Sequence, residues 1–170
     1  VEGHGDGVDE IIGGADFDII SGSAGDDTIG LKQMSPASSV ERIDGKTGIN
    51  TIVGNAENNY FDFSETELVD ISLIDVGEGD DTVVGSQGDD VIRGGQGNDN
   101  LSGGGGDDIF RIEGVDQGVD QIFGGDGFDT VVGSAGNDLL ATARFLSESN
   151  AIERIDGGAG FNAIMGTEDN

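Results

Sequence analysis

Aspartates set nine residues apart carry most of the chemistry in this sequence. Asp9, Asp18 and Asp27 make one run, Asp81, Asp90, Asp99 and Asp108 a second, and Asp120, Asp129 and Asp138 a third. Glycines precede them: Gly77 and Gly79 before Asp81, Gly95 and Gly97 before Asp99, Gly104 and Gly106 before Asp108. Carboxylates and backbone carbonyls are the oxygen ligands that a hard divalent cation prefers. The spacing therefore reads as a series of cation sites, with these ten aspartates and the carbonyls of these six glycines as candidate ligands.

Other chemistries find less to work with. The one histidine, His4, stands alone, there is no cysteine, and the serines have no histidine to activate them. Carboxylate pairs of the kind a glycosidase uses abound, but here the repeat itself accounts for their spacing. The glycines at 103–106 are followed by aspartates and no lysine, unlike a phosphate loop. The stretch at 126–129 lacks the twelfth-position glutamate of an EF-hand. The glycosylation sequon at 100–102 is a match by pattern only. The outward position after the aspartates holds, among others, Glu10, Ile19, Thr28, Thr82, Val91, Asn100, Ile109 and Thr130, too mixed for the flat threonine array of an ice-binding surface. The sequence does not read as an enzyme.

Composition narrows the partners. Asp plus Glu number 35 against 7 Lys plus Arg, a formal net charge of −28. Phosphate backbones and anionic membrane surfaces both need clustered Lys and Arg, so neither fits. No apolar run approaches the roughly 20 residues of a membrane span. With 34% apolar residues and no tryptophan, a large three-dimensional core is not expected. An acidic chain with 33 glycines and one proline can also be a disordered solvating segment. Ordered spacing decides against that.

The spacing belongs to a nonapeptide, G-x-G-x-D-x-(apolar), whose longest run lies between Val76 and Phe110. The position two after each aspartate tests it. That position holds Ile11, Ile20, Ile29, Val83, Ile92, Leu101, Phe110, Ile122, Val131 and Leu140. Degenerate copies with Asn50, Asn59 and Asn162 in the aspartate's place put Ile52, Phe61 and Ile164 there. A single inward-facing side chain per repeat follows. Six residues make a turn, in which glycine allows left-handed backbone angles, and three make a short strand. Two nonapeptides should close one flattened coil, with turns two repeats apart stacked along one edge. The best cation pairs are then Asp9 with Asp27, Asp81 with Asp99, Asp90 with Asp108 and Asp120 with Asp138. Calcium is the ion this repeat calls for, and several ions are expected.

A longer period overlies the short one. Residues 7–30 resemble 118–141, and residues 40–54 resemble 152–166. The chain reads as one solenoid over 1–170, about one and a half copies of a unit of ~111 residues, a window of a longer array. Three segments interrupt the repeats, at 31–44, 62–75 and 141–156, each containing an Ile-Asp pair (Ile43, Ile74, Ile155). They are expected to be short helical turns or loops that leave the coil and rejoin it, with Ser64 capping a helix start at 64–68. They should lie across the outward apolar residues Ile12, Ile19, Val84, Val91, Phe123 and Val132, since contiguous apolar patches are normally covered.

The repeats from Gly77 to Phe110, and the blocks ending at Asp27 and Asp138, resemble the calcium-binding β-roll of repeats-in-toxin (RTX) proteins. The resemblance implies an all-β, right-handed parallel β-roll, or β-solenoid, that folds in millimolar extracellular calcium. It also implies a secreted or cell-surface location and export of a larger parent protein by type I secretion from a Gram-negative bacterium. Asn50, Asn59 and Asn162 depart from the pattern. Asparagine tolerates the left-handed turn but brings no charge, so the coil should persist there with weak or absent metal. Two classes of function stay open. One is a structural and secretion module serving neighbouring domains of a longer chain. The other is an adhesion module that binds a polysaccharide or cell-surface ligand. With Tyr60 the only tyrosine, a row of sugar-stacking aromatics is lacking.

Overall fold

The computed structural model describes residues 9–113, 118–142, 151–160 and 163–166. His4, Asn162 and the middle of the segment 141–156 lie outside them. Strands form wherever the repeat leaves its turn. The first are β1 (Asp9–Glu10), β2 (Ile19–Ser21), β3 (Thr28–Met34), β4 (Arg42–Asp44), β5 (Thr51–Val53) and β6 (Tyr60–Asp62). Next come β7 (Glu67–Val69), β8 (Leu73–Glu78), β9 (Thr82–Val84), β10 (Val91–Gln96), β11 (Asn100–Gly105) and β12 (Ile109–Ile112). The last are β13 (Gln121–Asp126), β14 (Thr130–Gly133), β15 (Leu139–Thr142), β16 (Arg154–Asp156) and β17 (Ala163–Gly166).

Every pairing is parallel, and each strand pairs with the strand one coil away, so the chain is a β-solenoid. One face runs β3–β5–β8–β10–β12–β14–β16, which makes about six coils, and a second runs β3–β6–β9–β11–β13. Strand β3 joins the two faces: Thr28–Gly30 pair with β5 in the first, and Gln33–Met34 pair with β6 in the second. A third, short face is β2–β4–β7. β15 and β17 pair with each other.

The coil changes shape along its length. Equivalent residues are 23 or 22 apart in the first coils, where the third face adds a side. They are 18 apart from Asp81 to Asp99, the two-nonapeptide coil expected from the sequence. They are 21 and then 24 apart towards the end. Coils of 21 to 24 residues also move two partnerships. Asp9 aligns with Leu31, and Asp27 contacts Asn50, so Asp9 and Asp27 do not share an edge. Asp120 contacts Asp99, and the turn of Asp138 stacks on the one at Gly157.

The two interruptions that lie wholly within the described residues, 31–44 and 62–75, are wall, not excursions. In 31–44, Leu31 and Met34 are fully buried and continue β3, one turn of 3₁₀ helix spans Pro36–Ser38, and β4 closes the third face. In 62–75, no helix begins at Ser64. Its N–H and hydroxyl bond Asp62 Oδ1 at 3.0 and 2.6 Å, Thr66 N–H closes a turn on Phe63 O, and β7 follows. A five-residue stretch gains too little to nucleate a helix, whereas Leu68 in register with Ile43 extends a sheet and packs on the core. Because the segments build the third face, they do not cover outward side chains: Ile12 and Ile19 stay exposed. Val84, Val91, Phe123 and Val132 are half-buried.

The core is a set of ladders. Ile29, Ile52, Ile74, Ile92, Phe110 and Val131 stack in register on the first face, and Ile155, in register with Val131 but exposed, ends the ladder. Phe61, Val83, Leu101 and Ile122 stack on the second. Nearly all the described inward positions of the repeat are buried, with Ile11 and Ile29 half-buried against the same core. Between the faces Phe61 and Phe63 meet at 5.8 Å, tilted by 54°. Outside, Arg93 reaches Asp75 and Glu113 across the strands. Truncating a fully buried rung such as Phe110→Ala should cost about 3–5 kcal/mol, whereas Ile109→Thr, on the outer side of the same strand, should stay within about 0.5 kcal/mol. Denaturant melts of both variants in excess calcium check this.

Candidate metal sites

Each turn is built around the side chain at its sixth position. The carboxylate folds back over the first residue of the same turn. A Cβ on Gly94 would lie 2.2 Å from Asp99 Oδ2, one on Gly103 1.9 Å from Asp108 Oδ2, and one on Gly124 2.2 Å from Asp129 Oδ2. Glycine stands first in these turns because the acid occupies the space a side chain would take; the turn ending at Asp81 begins instead with the buried Val76. The second and fourth glycines answer a different demand. Gly77, Gly79, Gly95, Gly97, Gly104 and Gly106 all have φ between 100° and 136°, a region L side chains rarely adopt. They also let successive turns touch: a Cβ on Gly95 or Gly97 would lie 1.9 Å from the carbonyl oxygen of Gly77 or Gly79.

Stacking joins the acids into ladders. On one edge Asn59 N–H donates to Asp81 Oδ1 (2.6 Å), Asp81 N–H to Asp99 Oδ1 (2.9 Å) and Asp99 N–H to Asp120 Oδ1 (3.0 Å). On the other, Asp90 N–H donates to Asp108 Oδ1 (2.8 Å), Asp108 N–H to Asp129 Oδ1 (2.9 Å) and Asp129 N–H to Glu153 Oε2 (2.7 Å). The expected pairs Asp81–Asp99 and Asp90–Asp108 are thus in contact. Asp18 N–H donates to Glu41 Oε2 at 2.8 Å, so Asp18 belongs to a separate column at the third face. Asp9 is exposed.

Two groups of ladder residues escaped the sequence reading. Glu41 and Glu153 fill the aspartate's place in the Glu-Arg-Ile-Asp stretches, and the signal was there, since Ile43 and Ile155 stand two residues later. The fifth position forms a second ladder of opposite polarity. Asp80 Oδ1 accepts from Asn98 N–H, Asp89 Oδ1 from Asp107 N–H, and Asp107 Oδ1 from Phe128 N–H, each at 2.8 Å. Its residues are exposed, and it satisfies turn amides without burying charge.

The sixth-position acids are the opposite. Asp81, Asp99, Asp108 and Asp129 are essentially inaccessible, and in each the Oδ2 atom is buried without any hydrogen-bond partner. Asparagine avoids this. Asn50 and Asn59, equally buried, donate their amides to Asp70 O and to Asn55 Oδ1, at 2.9 and 3.0 Å, and the coil continues through both. The profile of the RTX calcium-binding nonapeptide repeat (4 copies) matches residues 5–30, 38–65, 75–110 and 115–144. The chain belongs to this family. No curated protein matches it as a relative.

RTX membership implies calcium binding by a β-roll whose role is structural rather than catalytic, and the turns fit the ion. An ionised, buried oxygen with no donor is costly to leave unpaired, and a hard cation supplies what the protein does not. Among the described residues no three acidic or histidine side chains converge on one point. An ion here draws the rest of its six to eight oxygens from turn carbonyls, which calcium accepts.

In these RTX turns burial, more than neighbouring charge, raises the acids. Asp99 is pushed up to about 6, Asp108 and Asp120 to about 7, and Asp81, Asp90 and Asp129 also upward, with adjacent carboxylates adding to the effect for Asp99 and Asp108. A folded-state value above the unfolded one means that protonation favours the fold. This stabilisation is full below the unfolded value near 4 and is lost as pH rises through about 6 to 7. In chelator, the melting temperature followed by circular dichroism should therefore fall between about pH 5 and pH 8. A rise over that range would show that the buried acids are ionised and satisfied without metal.

Proposed function

We propose that this chain is a calcium-dependent folding module of a larger secreted bacterial protein, a roll that sets only where calcium is plentiful. The four buried Oδ2 atoms without partners carry the reading. At neutral pH without metal, each open turn either keeps a proton against solution conditions or buries an unpaired charge. The net charge of −28 repels along the whole length. The core opposing this is narrow, one or two inward side chains per strand, set against the chain entropy of ordering every coil.

Calcium supplies the missing positive charge and, by binding only the folded turns, adds its binding energy to folding. The aspartates orient Oδ1 by the ladder amide and present Oδ2. The glycines bring the turn carbonyls of adjacent coils together. Sites of this extracellular kind bind on the order of 0.1–1 mM. Such a module stays unfolded where calcium is scarce, which suits passage through an export channel, and folds outside the cell. Titration with calcium should produce a cooperative gain of β-sheet circular dichroism that chelator reverses and magnesium does not reproduce. A β signal that is fully developed in chelator at pH 8 contradicts the proposal.

A further inference from the structure

The second residue of the turn divides seven of the aspartate turns, those ending at Asp27, Asp81, Asp90, Asp99, Asp108, Asp129 and Asp138, into two kinds. In the turns ending at Asp27, Asp90 and Asp138 that residue is serine, and it closes on the acid. Ser23 N–H and Oγ reach the Asp27 carboxylate at 2.8 and 2.9 Å, Ser86 reaches Asp90 at 2.6 and 3.0 Å, and Ser134 reaches Asp138 at 2.7 Å with both groups. In the turns ending at Asp81, Asp99, Asp108 and Asp129 it is glycine, with φ of 107°, 101°, 102° and 120° at Gly77, Gly95, Gly104 and Gly125. There no amide or hydroxyl of the turn reaches Oδ2, and among the described residues these four acids are left with an unpartnered buried oxygen.

The sixth-position acid thus has the same fold-back geometry in both kinds: Oδ2 lies 2.7 Å from a Cβ built on Gly85 before Asp90, and 1.9 Å from one on Gly103 before Asp108. What differs is whether the turn supplies its own donors. The degenerate turn 54–59 follows the serine pattern, with Asn55 N–H on Asn59 Oδ1 at 3.0 Å.

We propose that, among these seven turns, serine or glycine at the second position decides which take calcium; Asp18, whose turn has Gly14 second but whose carboxylate is not left with a buried unpartnered oxygen, is outside the rule. The ions are held at Asp81 and Asp99 on one edge and at Asp108 and Asp129 on the other, while Asp27, Asp90 and Asp138 are tied by their serines and hold their turns without metal. This rests on the calcium reading above and is narrower than it, since nine-residue spacing alone treats all these acids as equal. The serine turns are permanent bends, and the glycine turns are bends that calcium sets.

Asp90 and Asp108 are neighbours on one edge, with Asp90 N–H on Asp108 Oδ1, so they make a matched comparison. Bound calcium is counted by metal analysis after equilibrium dialysis for the whole chain, Asp90→Asn, Asp108→Asn and Ser86→Gly, with folding followed in parallel by circular dichroism. Asp90→Asn should hold as many ions as the unaltered chain, Asp108→Asn at least one fewer, and Ser86→Gly one more. The Ser86→Gly arm does not depend on whether Asp108→Asn folds. Loss of calcium from Asp90→Asn equal to that from Asp108→Asn overturns the proposal, as does an unchanged count in Ser86→Gly. An unaltered chain that binds no calcium overturns the calcium reading itself, and the sorting with it.

Discussion

A buried carboxylate with one oxygen bonded and the other unpartnered is the constraint on which this solenoid turns. Oδ1 of Asp99 accepts the amide of Asp81 in the adjacent coil, which fixes how far apart the coils lie. Oδ2 packs over Gly94, which fixes what the first residue of the turn can be. The same atom is cut off from water and from every donor of the protein. An isolated charge in that position is far more costly than a neutral group, so the turn is complete only with a proton or a cation. The fold and its dependence on the medium have one origin.

The two ladders on each edge divide the work. The fifth-position ladder of Asp80, Asn98, Asp89 and Asp107 is exposed and carries no desolvation burden. It aligns turns whether or not a metal is present. The sixth-position ladder runs the other way and is buried, and it ends where other chemistry replaces the acid: in Asn59 at one end of one edge and in Glu153 at the far end of the other. The inward apolar ladders hold the faces together but are only one or two residues wide, which leaves the edges with a large share of the control over stability.

Much of this was legible in the sequence because the repeat has a strict period. Burial of Ile92, Leu101 and Phe110 follows from the position two after each aspartate, and the parallel stacking follows from the repeat length. What failed did so where the period was interrupted. Residues 31–34 and 62–63 contain no aspartate of the repeat, so nothing in the spacing announced that Leu31, Met34 and Phe63 are core or that a third face widens the first coils. The widened coil then shifted Asp27 onto Asn50 and Asp9 onto Leu31. Glu41 and Glu153 lie outside any aspartate spacing, yet a carboxylate one methylene longer meets the same amide. The difference between serine and glycine turns was visible as letters, but its consequence depends on a backbone angle and on whether an amide points at Oδ2, which spacing does not encode.

The most direct test of this account is to crystallise the chain in calcium and map the metal by anomalous scattering. Ions should lie between stacked turns, about 2.3–2.6 Å from Oδ2 of Asp81, Asp99, Asp108 and Asp129. Ions found only against the exposed acids Asp80, Asp89 and Asp107, with those four Oδ2 atoms still facing no cation, would contradict it.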